Sequence, residues 1–312
     1  MKCFFVFFLV MITFRLDALP GDLVSDIQNV RNSCSGLVAD FNQLKNRAGL
    51  NTAVNAVGTV AGGTALGSGI AKAKIDKDSK NVEDLIKTLE QAGAVHVTSL
   101  EMFYDTYADA LNESGTVNGA LSAAQLKKKK SVLDAKSKKL GILRTGMLGA
   151  GTAANIAGAI ISGTNRVDED LRGQIDKCLM AVKNLSLTVM QVRVSNGVSD
   201  QDLEYAENIV RECNMWSTID VSSIDKRAVG ATVSSGVGAG LGLVGTITSV
   251  AANSDTVRDG ERLREKNLNT VSNVMAGGSA VASATAIVFN ATQIAVIKRA
   301  ADVANKCVEA LK

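Results

Sequence analysis

Few residues in this sequence can do chemistry. Its 312 residues include five cysteines and one histidine. Cys3 lies at the start of an apolar run. Cys34, Cys178, Cys213 and Cys307 are spread over the rest of the chain. No CxxC pair and no Cys/His cluster occurs, so the spacing offers no metal site. A Ser-His-Asp or Cys-His mechanism would have to use His96. That residue sits on an apolar seam between Gly93 and Leu100, where packing is the expected role. Gly149-Ala-Gly151-Thr-Ala-Ala154 has the G-x-G-x-x-A form of a dinucleotide fingerprint. The fingerprint needs a strand before it, and Leu126 to Leu140 reads as helix. An enzyme is therefore not expected, and no catalytic residue, cofactor or metal is assigned.

The cysteines take their meaning from the N-terminus. Met1-Lys2 precedes a run of about a dozen apolar residues ending at Phe14, the length of a secretory signal core. Leu16-Asp17-Ala18 supplies a small-residue cleavage site; the alternative is an uncleaved anchor. Export into an oxidising compartment, periplasm or outside, makes disulfides the expected state of the four remaining cysteines. A net charge of +3 and the basic run Lys127–Lys130 without interleaved aromatics do not favour nucleic acid. Sequons stand at Asn112, Asn184 and Asn290, the last inside an apolar block and a poor acceptor.

The elements that position the cysteines are helices. Pro20 is the only proline, so nothing after it interrupts a helix by that route. Seams at three- and four-residue spacing carry every mature cysteine. They run Ile27, Val30, Cys34, Leu37, Phe41, Leu44; then Leu171, Ile175, Cys178, Val182, Leu185, Val189, Val192; then Leu203, Ala206, Val210, Cys213; then Ile297, Ala300, Ala304, Cys307, Leu311. A further seam from Val82 to Ala110 passes through His96. Ser122 and Gln125 form a capping box before Leu126.

Four stretches carry no charge: Ala48–Ala71, Thr145–Asn165, Ala228–Ser254 and Asn267–Ile297. They hold 19 of the 28 glycines, so glycine here is not loop filler. Small residues recur every fourth position. Examples are Gly146, Ala150, Ala154, Gly158 and Ser162, and Gly230, Ser234, Gly238, Gly242 and Thr246. Such a stripe predicts close backbone contact between helices, with Gly58 and Gly62 in the same role.

The blocks repeat in pairs. Arg47-Ala48, Gly58 and Gly62 match Arg227-Ala228, Gly238 and Gly242 at an offset of 180. Gly151 and Ile160 match Gly278 and Ile287 at an offset of 127. The fold expected is all-α: a long-helix bundle of Gly/Ala-zipper hairpins in two divergent tandem copies, stapled by disulfides. Residues 1–18 are the signal. Residues 19–165 are the first copy with a long polar insert, and residues 166–312 hold connector helices and the second copy. The repeat predicts Cys34–Cys178 and Cys213–Cys307. The rival pairing is Cys178–Cys213 with Cys34–Cys307, because Cys178 and Cys213 flank the Asn196-Gly197 turn.

Uncharged stretches of this length can span a bilayer. Four crossings would put the cysteines on the exported side, with the Lys-rich insert and Arg258, Arg262, Arg264 and Lys266 inside. Hydrophobic strength argues the other way. Ala48–Ala71 has six strong apolar residues set against Asn51 and Asn55, too few to insert alone. Two readings remain open. One is a non-enzymatic envelope protein that self-associates and enters membrane lipid. The other is a soluble exported scaffold or binding protein.

Overall fold

A computed structural model describes residues 20–92, 123–195, 198–254 and 262–312. The signal-like run, His96, Asn112, Ser122, Arg258 and the Asn196-Gly197 turn lie outside these residues. Among the described residues the protein is all-α. Its helices are α1 (Pro20–Cys34), α2 (Leu37–Ala92), α3 (Ala123–Thr164), α4 (Glu169–Ser195), α5 (Asp200–Asn214), α6 (Val221–Asn253) and α7 (Arg262–Ala310). A 3-10 turn, Met215–Thr218, separates α5 from α6. Pro20 is the first residue of α1, where a missing N–H breaks no helical bond. Ser199 caps α5, its hydroxyl accepting from the Asp202 N–H. α7 begins at Arg262, so Arg262, Arg264 and Lys266 are helical.

Two compact units share the long helices. The first comprises Met1–Val54, Ala157–Ser234 and Thr285–Lys312; the second comprises Asn55–Ile156 and Ser235–Ala284.

The first unit has a core of the kind water selects. Leu37, Phe41, Leu185, Ile209, Trp216, Ile224 and Ile297 are buried, with the seams of α1, α4, α5 and α7 around them. Every seam position from Leu171 to Val192 is inside, as the heptad spacing requires. On α5 the buried residue is Ile209 rather than Val210. The rings of Phe41 and Trp216 pack at 5.3 Å, tilted by 35°.

In the second unit, Val82, Leu85, Ile86 and Leu126 form a small apolar cluster, and Ala65, Leu148 and Ala276 form another. Beside the second of these clusters the helices pack on small residues. A Cβ added to Gly62 would come within 3.1 Å of Ala280 backbone atoms, and one on Gly151 would reach the Ala61 methyl at 3.4 Å.

The packed face does not follow the four-residue stripe. Along α3, Gly146 and Ala150 are exposed, Ala154 is half-buried, and only Gly158 and Ser162 are inside. A Cβ on Gly146 would meet nothing within 4 Å. The reason is geometric: four residues turn the helix through about 400°, so a strict stripe drifts about 40° per step. The buried face instead alternates by three and four. On α2 it runs Asn51, Asn55, Gly58, Gly62, Ala65, Gly69, Lys72; on α6 it runs Ala228, Ala231, Ser235, Gly238, Gly242, Gly245, Ser249. Gly58, Gly62, Gly238 and Gly242 lie on that face. Gly230 is half-buried, with the Phe289 ring 2.8 Å from where its Cβ would be. The face also holds Gly69, Gly141 and Gly245, which a four-residue count passes over.

Candidate functional site

Two features set this molecule apart: a cluster of sulfurs in the first unit, and helices whose polarity is turned inside out.

In the first unit, Cys34 of α1 is bonded to Cys178 of α4, and Cys213 of α5 to Cys307 of α7. This is the pairing that the repeat predicts, not the rival. All four sulfur-bearing residues are buried. The two bridges adjoin, since the Sγ atoms of Cys34, Cys178 and Cys307 all lie within 4.8 Å of one another. The sequence gives no hint of this. Cys34 and Cys178 are separated by 144 residues, and Cys213 and Cys307 by 94.

The uncharged blocks place polar and small residues inside and aliphatic ones outside. Within the first unit, Asn51, Ser162, Asn165, Asn290 and Gln293 are buried, while Leu50, Ile160, Val229, Val233 and Val288 are exposed. The Asn51 amide donates to Asn290 Oδ1 at 2.9 Å and to the Ser162 hydroxyl. Gln293 Nε2 donates to the carbonyls of Asn165 and Ile224, at 2.9 and 3.2 Å. Asn290 is wholly buried, so its sequon is closed to modification, whereas Asn184 is exposed.

Within the second unit the pattern is stronger. Asn55, Asn155, Ser235, Ser249, Ser272, Ser279 and Ser283 are inside. Val60, Ile70, Ile142, Ile247, Val274 and Val281 are outside, with Val60 at 69% exposure and Val281 at 67%. Asn155 is the hub. Its Nδ2 donates to Ser279 Oγ at 3.1 Å, its Oδ1 accepts from Ser283 Oγ at 2.7 Å, and Ser279 donates on to the Gly238 carbonyl at 2.9 Å. Glycine is required beside it: a Cβ on Gly58 or Gly238 would come within 2.9 Å of the Asn155 amide. Ser235 donates to Asn55 Oδ1 at 2.9 Å.

A charged network closes the end of these blocks in the second unit. The Lys72 ammonium, 4% exposed, donates to Asp76 at 2.7 Å and Glu265 at 2.8 Å. The buried Arg144 donates to Ser249 at 3.1 Å, Asn269 at 2.6 Å and Asn273 at 3.3 Å. Burial pulls the Arg144 pKa below the ordinary arginine value, and the carboxylates of Asp76 and Glu265 act against that shift. Two cations meet two carboxylates, so the interior charge balances.

Threonine hydroxyls along the helices are satisfied internally. Thr52, Thr59, Thr152, Thr232, Thr246, Thr248 and Thr292 each donate to the carbonyl four residues earlier. Gly149 to Ala154 lies inside α3 with helix on both sides, not at the strand-to-helix turn that a pyrophosphate fingerprint needs. Lys127–Lys130 belongs to α3, and Lys130 reaches Asp134 at 3.3 Å. The stretches Asp200–Asn253 and Arg264–Ala310 are long and apolar enough to cross a membrane by length and composition, with 33% and 28% of the apolar windows buried.

Compared with known proteins, the chain matches no family model, no curated protein and no solved structure.

Proposed function

We propose that this is a non-enzymatic exported protein whose four uncharged helical blocks form a membrane-inserted bundle. The observation that carries the reading is the inverted polarity of those blocks. Water drives Val, Ile and Leu inward and makes a buried Asn costly. Here Asn55 and Asn155 are buried while Val60 and Val281 face out. In lipid the preference reverses: small residues let backbones approach, buried amides bond across helices, and aliphatic chains face the acyl tails. The i−4 bonds of the Thr hydroxyls suit the same surroundings, because no water is there to satisfy them.

Composition alone disfavours insertion of α2 and α3. In this reading α6 and α7 enter as a hairpin, and α2 and α3 pack onto it through Gly62 against Ala280 and Gly242 against Thr152. The connection holding the cysteines stays on the exported side, and the Lys-rich insert faces the other way. Outward glycines, Gly63 and Gly67 on α2 and Gly236 and Gly240 on α6, are open and spaced by four. They support self-association of the bundle as well as contact with lipid.

We infer that the chain is an internal duplication. The 180-residue offset pairs buried with buried at Ala48/Ala228, Asn51/Ala231, Asn55/Ser235, Gly58/Gly238, Gly62/Gly242, Ala65/Gly245 and Gly69/Ser249, with Ala61/Leu241 and Ser68/Thr248 as exceptions. The 127-residue offset does not, since it sets buried Gly151 against half-buried Gly278. An offset of 128 matches Asn155 with Ser283 and Asn165 with Gln293. Equivalent residues touch, as Asn55 with Ser235 and Asn155 with Ser283 do, which is what two parallel copies about one axis would give.

The second reading is a soluble exported helical protein held by two disulfides. It is favoured by the water-type core around Trp216 and by α2 and α3, whose blocks are weakly apolar. Alkaline carbonate extraction of membranes from the expressing cell separates the two. Retention in the pellet, with release by detergent, is expected for the inserted bundle. Full release by carbonate would reject it in favour of the soluble protein.

A further inference from the structure

We propose that the two disulfides are a single thiol–disulfide exchange centre rather than independent staples. Four helices, α1, α4, α5 and α7, each bring one cysteine to the same place. The Sγ of Cys307 lies within 4.8 Å of both sulfurs of the other bridge. Each of the four residues is at most 1% exposed, so the neighbouring bridge is the reactant nearest to any thiol formed there. Exchange requires a thiolate within reach of a disulfide sulfur, and a rotamer change at Cys307 would complete the approach.

The steps balance. A dithiol reductant opens Cys213–Cys307, is itself oxidised to a disulfide, and leaves two cysteine thiols. Cys307 gives up its proton and attacks Cys178 Sγ. A Cys307–Cys178 bond forms and the Cys34–Cys178 bond breaks. The electron pair leaves on Cys34, which takes up a proton. Attack on Cys34 instead gives Cys307–Cys34 and frees Cys178. Neither exchange changes the number of thiols. After the second route, an external disulfide that is itself reduced to two thiols can reoxidise the remaining pair, joining Cys178 to Cys213, the alternative pairing that the sequence allows. From the first route, Cys213 can give up its proton and attack Cys307 Sγ. The Cys213–Cys307 bond re-forms, the Cys307–Cys178 bond breaks, and Cys178 leaves with the electron pair and takes up a proton. Reducing equivalents taken from the dithiol at one bridge thus end as two thiols at the other.

The test uses the full chain with Cys3→Ser and Cys213→Ser, which creates a Cys307 thiol without any reductant. The protein is held near the free-thiol pKa of about 8.5, quenched in acid, alkylated in denaturant and mapped without reduction. Label at Cys34 or Cys178 as well as Cys307, with Cys307-linked peptides, is expected. Label on Cys307 alone, with Cys34–Cys178 the only bridge, would overturn the proposal. The reciprocal Cys34→Ser variant starts the thiol at Cys178 and should yield Cys178–Cys307 with free Cys213. Circular dichroism selects whichever variant keeps its helix. In that variant, a thiol distribution equal to the one reached in guanidinium would also overturn the proposal, because exchange would then owe nothing to the folded geometry.

Discussion

Gly62 and Gly63 are chain neighbours with opposite surroundings. A Cβ on Gly62 would meet Ala280 backbone atoms at 3.1 Å, which cannot move aside as a side-chain tip can. Gly62→Ala should therefore lose about 1–3 kcal/mol through overpacking. Gly63 has nothing within 4 Å, so Gly63→Ala should gain up to about 1 kcal/mol from helix propensity alone. Denaturant unfolding of the two variants reads both signs. Lys72 is a second residue with a defined consequence. It is buried between Asp76 and Glu265, and removing its charge takes away the cation that both carboxylates pair with directly, leaving Arg144 to offset them. Lys72→Ala should cost on the order of 3 kcal/mol, and Lys72→Ala with Glu265→Gln should recover part of the loss in the same unfolding measurement.

Elements carried most of what could be read from the sequence. The seam from Leu171 to Val192 was legible because heptad spacing keeps one face toward a neighbour without drift. The Gly146 to Ser162 stripe was legible as helix but not as a face. Its spacing spirals around α3, and the packed positions Gly151 and Asn155 fall between its members. The asparagines of the uncharged blocks read differently by composition and by position. Counted as composition, Asn51 and Asn55 argue against lipid; placed on the helix, they point inward and leave Leu50 and Val57 outside. The pairing of the cysteines was legible from the repeat, but the approach of the two bridges to within 4.8 Å was not, since spacing along a helix does not say how closely two bridged pairs pack. Two element-scale outcomes follow. Losing the Cys34–Cys178 bond through Cys178→Ser should destabilise by about 2–4 kcal/mol and expose α1 to protease first, read by limited trypsin digestion. A charge on the outward face of α7 discriminates solvents. Val281→Lys should change stability by no more than about 0.5 kcal/mol if that face meets water. It should cost about 2.5–3.5 kcal/mol if the face sits mid-bilayer, seen as loss of the carbonate-resistant fraction.

For the whole molecule, two kinds of interior coexist in one chain. The part around Trp216 and the disulfides is built as proteins in water are, with Leu, Ile and Val inside. The uncharged blocks are built the other way, on Gly, Ala, Ser and Asn. The proposed inserted bundle, with its cysteine-bearing region in an oxidising aqueous space and its uncharged helices in lipid, would account for both. The most direct test is a spin label at Val281, with the protein reconstituted in vesicles and read by collision with oxygen and with a water-soluble nickel chelate. Strong oxygen and weak nickel accessibility at that site is the predicted result. Strong nickel accessibility there would place the aliphatic face in water and contradict the inserted bundle.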